Sequence, residues 1–122
     1  MKYFLGISAY FHDSSAALIL DNKVVAAIQE ERLTRIKADS SFPKNSVLWL
    51  MNNYNLKLND LEALVFYEKP LIKFERIIEN YINFFLKGLY NFNKNFLASL
   101  KNTLFIKNTI KKEINKLNLG KL

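Results

Sequence analysis

Leu5 to Arg35, LGISAYFHDSSAALILDNKVVAAIQEERLTR, is the stretch whose reading decides the fold. Together with the two residues before it, Tyr3 to Ala9 is a nearly continuous apolar run, which predicts a strand covered on both faces. Ala16 to Leu20 reads as a second strand and Lys23 to Gln29 as a third. Asp21-Asn22 tolerates the positive backbone torsions of a two-residue hairpin turn between them. Tyr10 to Ser15 is a polar loop joining the first two strands, and it carries the only histidine, His12, beside Asp13, Ser14 and Ser15. A loop of side-chain and backbone donors between buried strands is a place where a phosphate or a hydroxyl can be held.

Working outward, Glu30 to Phe42 has no apolar period and predicts an exposed, charged connection. Pro43 suits the first turn of a helix, and Val47, Leu50, Met51 and Tyr54 follow at helical spacing. Asn59-Asp60-Leu61-Glu62 has the form of a capped single helical turn, and Ala63 to Tyr67 predicts a fourth strand. A second helix is expected from Leu71, with Leu71, Phe74, Ile78, Tyr81 and Phe85 as its apolar stripe and Gly88 as its stop. Beyond Asn91, Leu97, Leu100 and Leu104 share one helical face, and Ile106, Ile110, Ile114 and Leu117 another. The order β-β-β-α-β followed by helices predicts an α/β fold with a mixed sheet: a three-strand β start, then helices.

Bulk properties narrow the function classes. The 122 residues, half of them hydrophobic, can build one domain with a true core. Without cysteine there is no disulfide framework, thiolate zinc site or cysteine nucleophile. The net charge of +7 is spread along the chain rather than packed into a block, so neither a nucleic-acid nor a membrane partner is expected. The opening Lys2 and apolar run meet His12 and Asp13 with no small-residue cleavage site, so a strand rather than a secretory leader is expected. No segment reaches the roughly 20 apolar residues needed to span a bilayer, and a cytoplasmic location is expected.

The candidate chemistry concentrates in two places. In the first loop, His12 is the candidate proton acceptor, with Asp13 and Ser14 as candidate substrate contacts; ordinary turn chemistry is the competing explanation of His-Asp-Ser-Ser. Adjacent side chains rarely face each other, so Asp13 need not be the partner of His12. In Glu30 to Lys37, Arg32, Arg35 and Lys37 are candidate anion contacts, because guanidinium forks match phosphate and carboxylate geometry; a solvated charged loop is the alternative. The three glycines, Gly6, Gly88 and Gly120, form no phosphate loop. One histidine and scattered acids make no metal-ligand set.

Four segments in order carry a resemblance to a known family. They are Leu5-Gly6-Ile7-Ser8 through His12-Asp13-Ser14; Gln29-Glu30-Glu31-Arg32-Leu33-Thr34-Arg35; Ser41-Phe42-Pro43; and Val65 to Pro70 with Lys73-Phe74-Glu75-Arg76. Together they resemble the start of the O-carbamoyltransferases, which include the nodulation-factor enzymes and those of antibiotic biosynthesis. The resemblance implies a transferase using carbamoyl phosphate and ATP to make a carbamoyl adenylate, then passing the carbamoyl group to a substrate hydroxyl. It implies an amino-terminal domain of the actin-like ATPase (ASKHA) superfamily that hosts transfer, and a second domain that makes the adenylate. His12 would then lie near the acceptor hydroxyl or the adenylate phosphate, at the mouth of the transfer site.

The departures are specific. The family's histidine-rich motif, which supplies ligands for a divalent metal, is absent from these residues. Family members tend to carry a histidine in the charged loop where Ala38 stands here. Residues 1–122 are therefore expected to be the amino-terminal part of the actin-like domain, β-rich over 1–70 and helical over 71–122. The expected partner is the missing carboxy-terminal portion, in a split gene as a separate chain, with a small-molecule hydroxyl acceptor. The chain alone is expected to be inactive. The rival class is a small basic binding module without catalysis.

Overall fold

The computed structural model describes residues 1–68, 70–84, 89–117 and 119. Two compact units are present: Met1–Tyr67 with Ile110–Leu122, and Glu68–Thr109. The first is a mixed four-stranded sheet with helices. Its strands are β1 (Tyr3–Ser8), β2 (Ser15–Leu20), β3 (Lys23–Gln29) and β4 (Leu61–Phe66), in the order β3-β2-β1-β4. β1–β2 and β2–β3 are antiparallel hairpin neighbours, and β4 joins β1 in parallel. The crossover from β3 to β4 contains α1 (Glu30–Thr34), α2 (Lys44–Asn53) and a single 3-10 turn (Leu58–Asp60). The protein is therefore α/β with a mixed sheet, as its apolar runs indicate.

Register explains which side chains are buried. Leu5 faces Leu18 and Ile7 faces Ala16 across β1–β2, and on the parallel side Leu5 pairs with Leu64 and Ile7 with Phe66. Leu5, Ile7, Ala16 and Leu18 are all at most 3% exposed and share one sheet face. Val47, Leu50 and Met51 of α2 are fully buried, as are Leu58 and, from the last helix of the chain, Ile114, with Ile110 nearly so. Each such aliphatic contributes roughly 1.5–3 kcal/mol on burial. The opposite face carries Phe4, Gly6, Ala17, Ile19, Val24, Ala63 and Val65. It holds no charged side chain among these positions, yet Val24 and Val65 are more than half exposed.

The β2–β3 turn forms at Asp21, whose φ is 51°. Its carboxylate accepts from the Lys2 amide at 2.8 Å, which ties the turn to the start of β1. α2 begins one residue later than expected, with Pro43 as its N-cap. Tyr54 ends it rather than continuing the buried stripe, and its hydroxyl donates to the Val25 carbonyl at 3.1 Å. In the 3-10 turn the Asp60 carboxylate accepts from the Lys57 amide at 2.7 Å, so the cap lies at Lys57 and not Asn59. β4 then starts at Leu61 and includes Glu62, earlier than the expected Ala63.

In the second unit, α3 (Pro70–Phe84) begins at the proline, and Lys73 pairs with Glu68 at 2.7 Å. α4 (Leu89–Lys116) supplies the remaining helix, its turns from Ile110 onward belonging to the first unit. Of the two expected late faces, Ile110 and Ile114 are buried whereas Leu104 is half exposed. The side chains of Leu71, Phe74, Tyr81, Leu97 and Leu100, and residues Phe85 and Gly88, lie outside the described residues.

Candidate functional site

The loop joining β1 to β2 reverses direction through two left-handed residues, Tyr10 at φ 69° and Asp13 at φ 50°. Aspartate tolerates this region, whereas tyrosine enters it at a cost of roughly 1–2 kcal/mol. The surrounding structure holds the conformation. The Tyr10 amide donates to the Ser40 carbonyl and the Ser14 amide to the Asp39 carbonyl, both at 2.8 Å. Ser14 is fully buried, and its hydroxyl donates to the Ser41 carbonyl at 2.5 Å. His12 is thus bracketed two residues before and two residues after by one strap, Asp39-Ser40-Ser41.

His12 itself projects outward with 62% of its side chain exposed, and its Nδ1 lies 2.9 Å from Asp13 Oδ2. With the Asp13 carboxylate as acceptor, the neutral imidazole carries its proton on Nδ1 and its lone pair on Nε2. Adjacent residues meet here after all, with Asp13 in the left-handed region. The Phe11 ring sits beside the imidazole with centroids 4.4 Å apart. Partial burial pushes the Tyr10 phenol up, reinforced by the negative charge of Glu113. The arrangement is an outward-facing base oriented by a carboxylate, with aromatic neighbours.

The segment expected to be an exposed connection is in fact structured at its start. Glu30 opens α1 and is 1% exposed. Its Oε1 accepts from the Asn45 amide at 3.0 Å and Asn45 Nδ2 at 2.7 Å; its Oε2 accepts from the Ser46 amide at 2.8 Å and Ser46 Oγ at 2.7 Å. This carboxylate caps α2 from a distant position in the chain, since Pro43 has no side-chain acceptor. The Glu30 amide in turn donates to the Ser14 carbonyl at 2.8 Å. A tertiary cap of this kind has no spacing signature. The one available signal was an acidic pair, Glu30-Glu31, directly after a strand.

The rest of the segment is a hydrogen-bonded hairpin of loop. Asp39 Oδ1 accepts from the Ser41 amide at 2.9 Å and Ser41 Oγ at 2.6 Å, and Oδ2 from Thr34 Oγ1 at 3.1 Å. The Ser41 hydroxyl and amide hold the Asp39 carboxyl below its usual range. Glu31 accepts from the Ala38 amide at 3.1 Å, which supports Ala38 at φ 54°. Arg35 ends α1 in the left-handed region. Arg32, Arg35 and Lys37 are exposed, and no ion pair engages them among the described residues. The structure therefore joins His12, Asp13 and Ser14 in one loop, with Ser14 as its buried anchor. The three basic residues stand on the neighbouring segment, and among the described residues no ion pair joins them to that loop.

Comparison with known proteins decides the affiliation. The sequence family described as Carbamoyltransferase N-terminus matches residues 3–121. The chain belongs to the carbamoyltransferase family, in its amino-terminal region. An uncharacterized protein, sll1178, of Synechocystis sp. is 45% identical over 114 residues, covering 93% of this chain and 18% of that protein. The nodulation protein NolNO of Sinorhizobium fredii is 33% identical over 60 residues, 49% of this chain and 9% of its own length. A 19.2 kDa protein of Rhizobium etli, encoded in the syrM 5′ region, is 28% identical over 60 residues. The chain thus spans less than a fifth of the first two relatives.

Family membership raises the question of a nucleotide and a divalent metal. Among the described residues no group of three or more His, Cys, Asp or Glu side chains converges to hold a metal. The amides of Asn45 and Ser46, which a helix N-terminus could offer to a phosphate, are already engaged by Glu30. The described residues therefore assemble no metal site, and the N-terminus of α2 is closed to a phosphate. No helix among the described residues is long and apolar enough to cross a membrane.

Proposed function

We propose that residues 1–122 act as the amino-terminal part of a carbamoyltransferase that carries a carbamoyl group from an ATP-derived carbamoyl adenylate to a substrate hydroxyl. Carbamoyl phosphate would be the source of the group, and the remaining polypeptide of the family would make the adenylate. The observation that carries this reading is the family match over nearly the whole chain, joined to an exposed imidazole oriented by a carboxylate. His12 Nε2 takes the proton of the acceptor hydroxyl as its oxygen attacks the carbamoyl carbon; the bond from that carbon to the phosphate oxygen breaks, and AMP leaves with the bonding electrons. Asp13 holds the tautomer and stabilises the imidazolium that forms. Arg32, Arg35 and Lys37 offer positive charge to the anionic donor. Ser14 serves by keeping the loop in place. The fold of the whole domain is proposed to be actin-like, and the location cytoplasmic.

The test is to assay carbamoyl transfer to hydroxyl acceptors with this chain supplied with the remaining carbamoyltransferase polypeptide, carbamoyl phosphate, ATP and magnesium. Transfer that needs both components and falls at least about a hundredfold in His12→Ala supports the reading. Full activity in His12→Ala refutes the role of the base. Salt-sensitive nucleic-acid or polyanion binding by this chain, with no transfer in the complete mixture, supports a basic binding module instead.

A further inference from the structure

We infer that Asp39 is a positioning residue for His12, acting through the Asp39-Ser40-Ser41 strap; this rests on the proposed role of His12. Three hydrogen bonds from the loop to the strap fix both sides of the histidine: Tyr10 N–H to Ser40 O, Ser14 N–H to Asp39 O, and Ser14 Oγ to Ser41 O. The strap has no strand or helix of its own to hold it. What shapes it is the Asp39 side chain, which accepts from the backbone and hydroxyl of Ser41 and anchors to Thr34 of α1. Thr34 Oγ1 also lies 3.2 Å from the Glu30 carbonyl, so the strap hangs from the helix that begins at the buried Glu30. Removing the Asp39 carboxylate leaves three strap carbonyls free to move, and with them the two left-handed residues that aim the imidazole.

Geometry, rather than charge, is the essential property. In Asp39→Asn the amide oxygen can still accept from Ser41, and the amide nitrogen can donate to Thr34 Oγ1 while that hydroxyl donates to the Glu30 carbonyl. Asparagine thus preserves the pattern, and alanine abolishes it.

The experiment uses the single histidine of this chain as its own reporter, with the nitrogen label in this chain alone. Imidazole nitrogen NMR of this chain bound to its carbamoyltransferase remainder reads the tautomer and the Asp13 contact, and amide exchange reads Tyr10 and Ser14. In Asp39→Ala the Nδ1–H signature is expected to fade, with exchange at Tyr10 and Ser14 about tenfold faster or more. kcat falls about 10- to 100-fold at little-changed KM, as expected for a displaced group. Asp39→Asn retains most of the wild-type behaviour in all three readouts. An Asp39→Ala protein with wild-type imidazole signals and exchange overturns the inference, as does an Asp39→Asn protein as impaired as the alanine variant. Absence of transfer in the wild type would sink the proposed reaction alone, because the imidazole and exchange readouts do not depend on turnover.

Discussion

Replacing Glu30 by alanine removes the acceptor for four donors at the start of α2. Two of them belong to Ser46, which is fully buried and cannot turn to water. The two from Asn45 are partly exposed and can rehydrate. A buried donor left without a partner costs roughly 1–3 kcal/mol. Against this stand the relief of desolvating a carboxylate and the entry of a water into the space it leaves. The net expectation is a loss of about 2–4 kcal/mol, a large share of the 5–15 kcal/mol typical of a domain. Glu30→Gln keeps one acceptor oxygen, and Asn45 can rotate its amide to meet the new donor, so about 1–2 kcal/mol is expected. Amide exchange is the appropriate assay, since it reads the site locally. At Asn45 and Ser46, Glu30→Ala should speed exchange about 30- to 900-fold. A change below about 0.5 kcal/mol, with exchange at those amides unaltered, would refute the assignment of Glu30 as the cap of α2.

Three further outcomes are expected. Hydrogen bonds hold Asp39 below the usual aspartate range, so the folded state resists protonation more than the unfolded state; its contribution is intact above about pH 4 and is lost as pH falls through the lowered folded value. An NMR titration of the Ser41 amide should therefore show a transition below pH 4, absent in Asp39→Asn; a transition at or above the ordinary value refutes it. Gly6→Ala places a methyl group 3.7 Å from the Ala17 carbonyl, an ordinary contact, so the variant should be about 0.4–1 kcal/mol more stable in denaturant titration, and a loss of stability would refute the geometry. The apolar sheet face of Phe4, Ile19, Val24 and Val65, on which the two valines are more than half exposed, should make the isolated chain associate or bind hydrophobic dye, and Val24→Asp with Val65→Lys should reduce both in light scattering and fluorescence. A monodisperse wild-type monomer with a sharp cooperative melt contradicts this expectation.

The sequence by itself determined the sheet and the identity of the loop. Alternating or continuous apolar runs are local signals, and β1, β2 and β3 follow them within a residue at each end. The Asp21-Asn22 turn is equally local, because the torsions it needs are a property of those residue types. The ordered segments around His12, Arg32, Pro43 and Lys73 also sufficed to point to the carbamoyltransferases. Only the tertiary structure decided what Glu30, Asp39 and Ser14 do. Glu30 reads as one charge among many, yet it is buried because a helix fifteen residues onward begins without an acceptor of its own. Asp39 and Ser14 read as turn residues, yet together they clamp the strap to the loop. Periodicity reports what a residue's neighbours in sequence require of it. Hydrogen bonds to remote backbone groups depend on where folding brings those groups, and no local pattern encodes that.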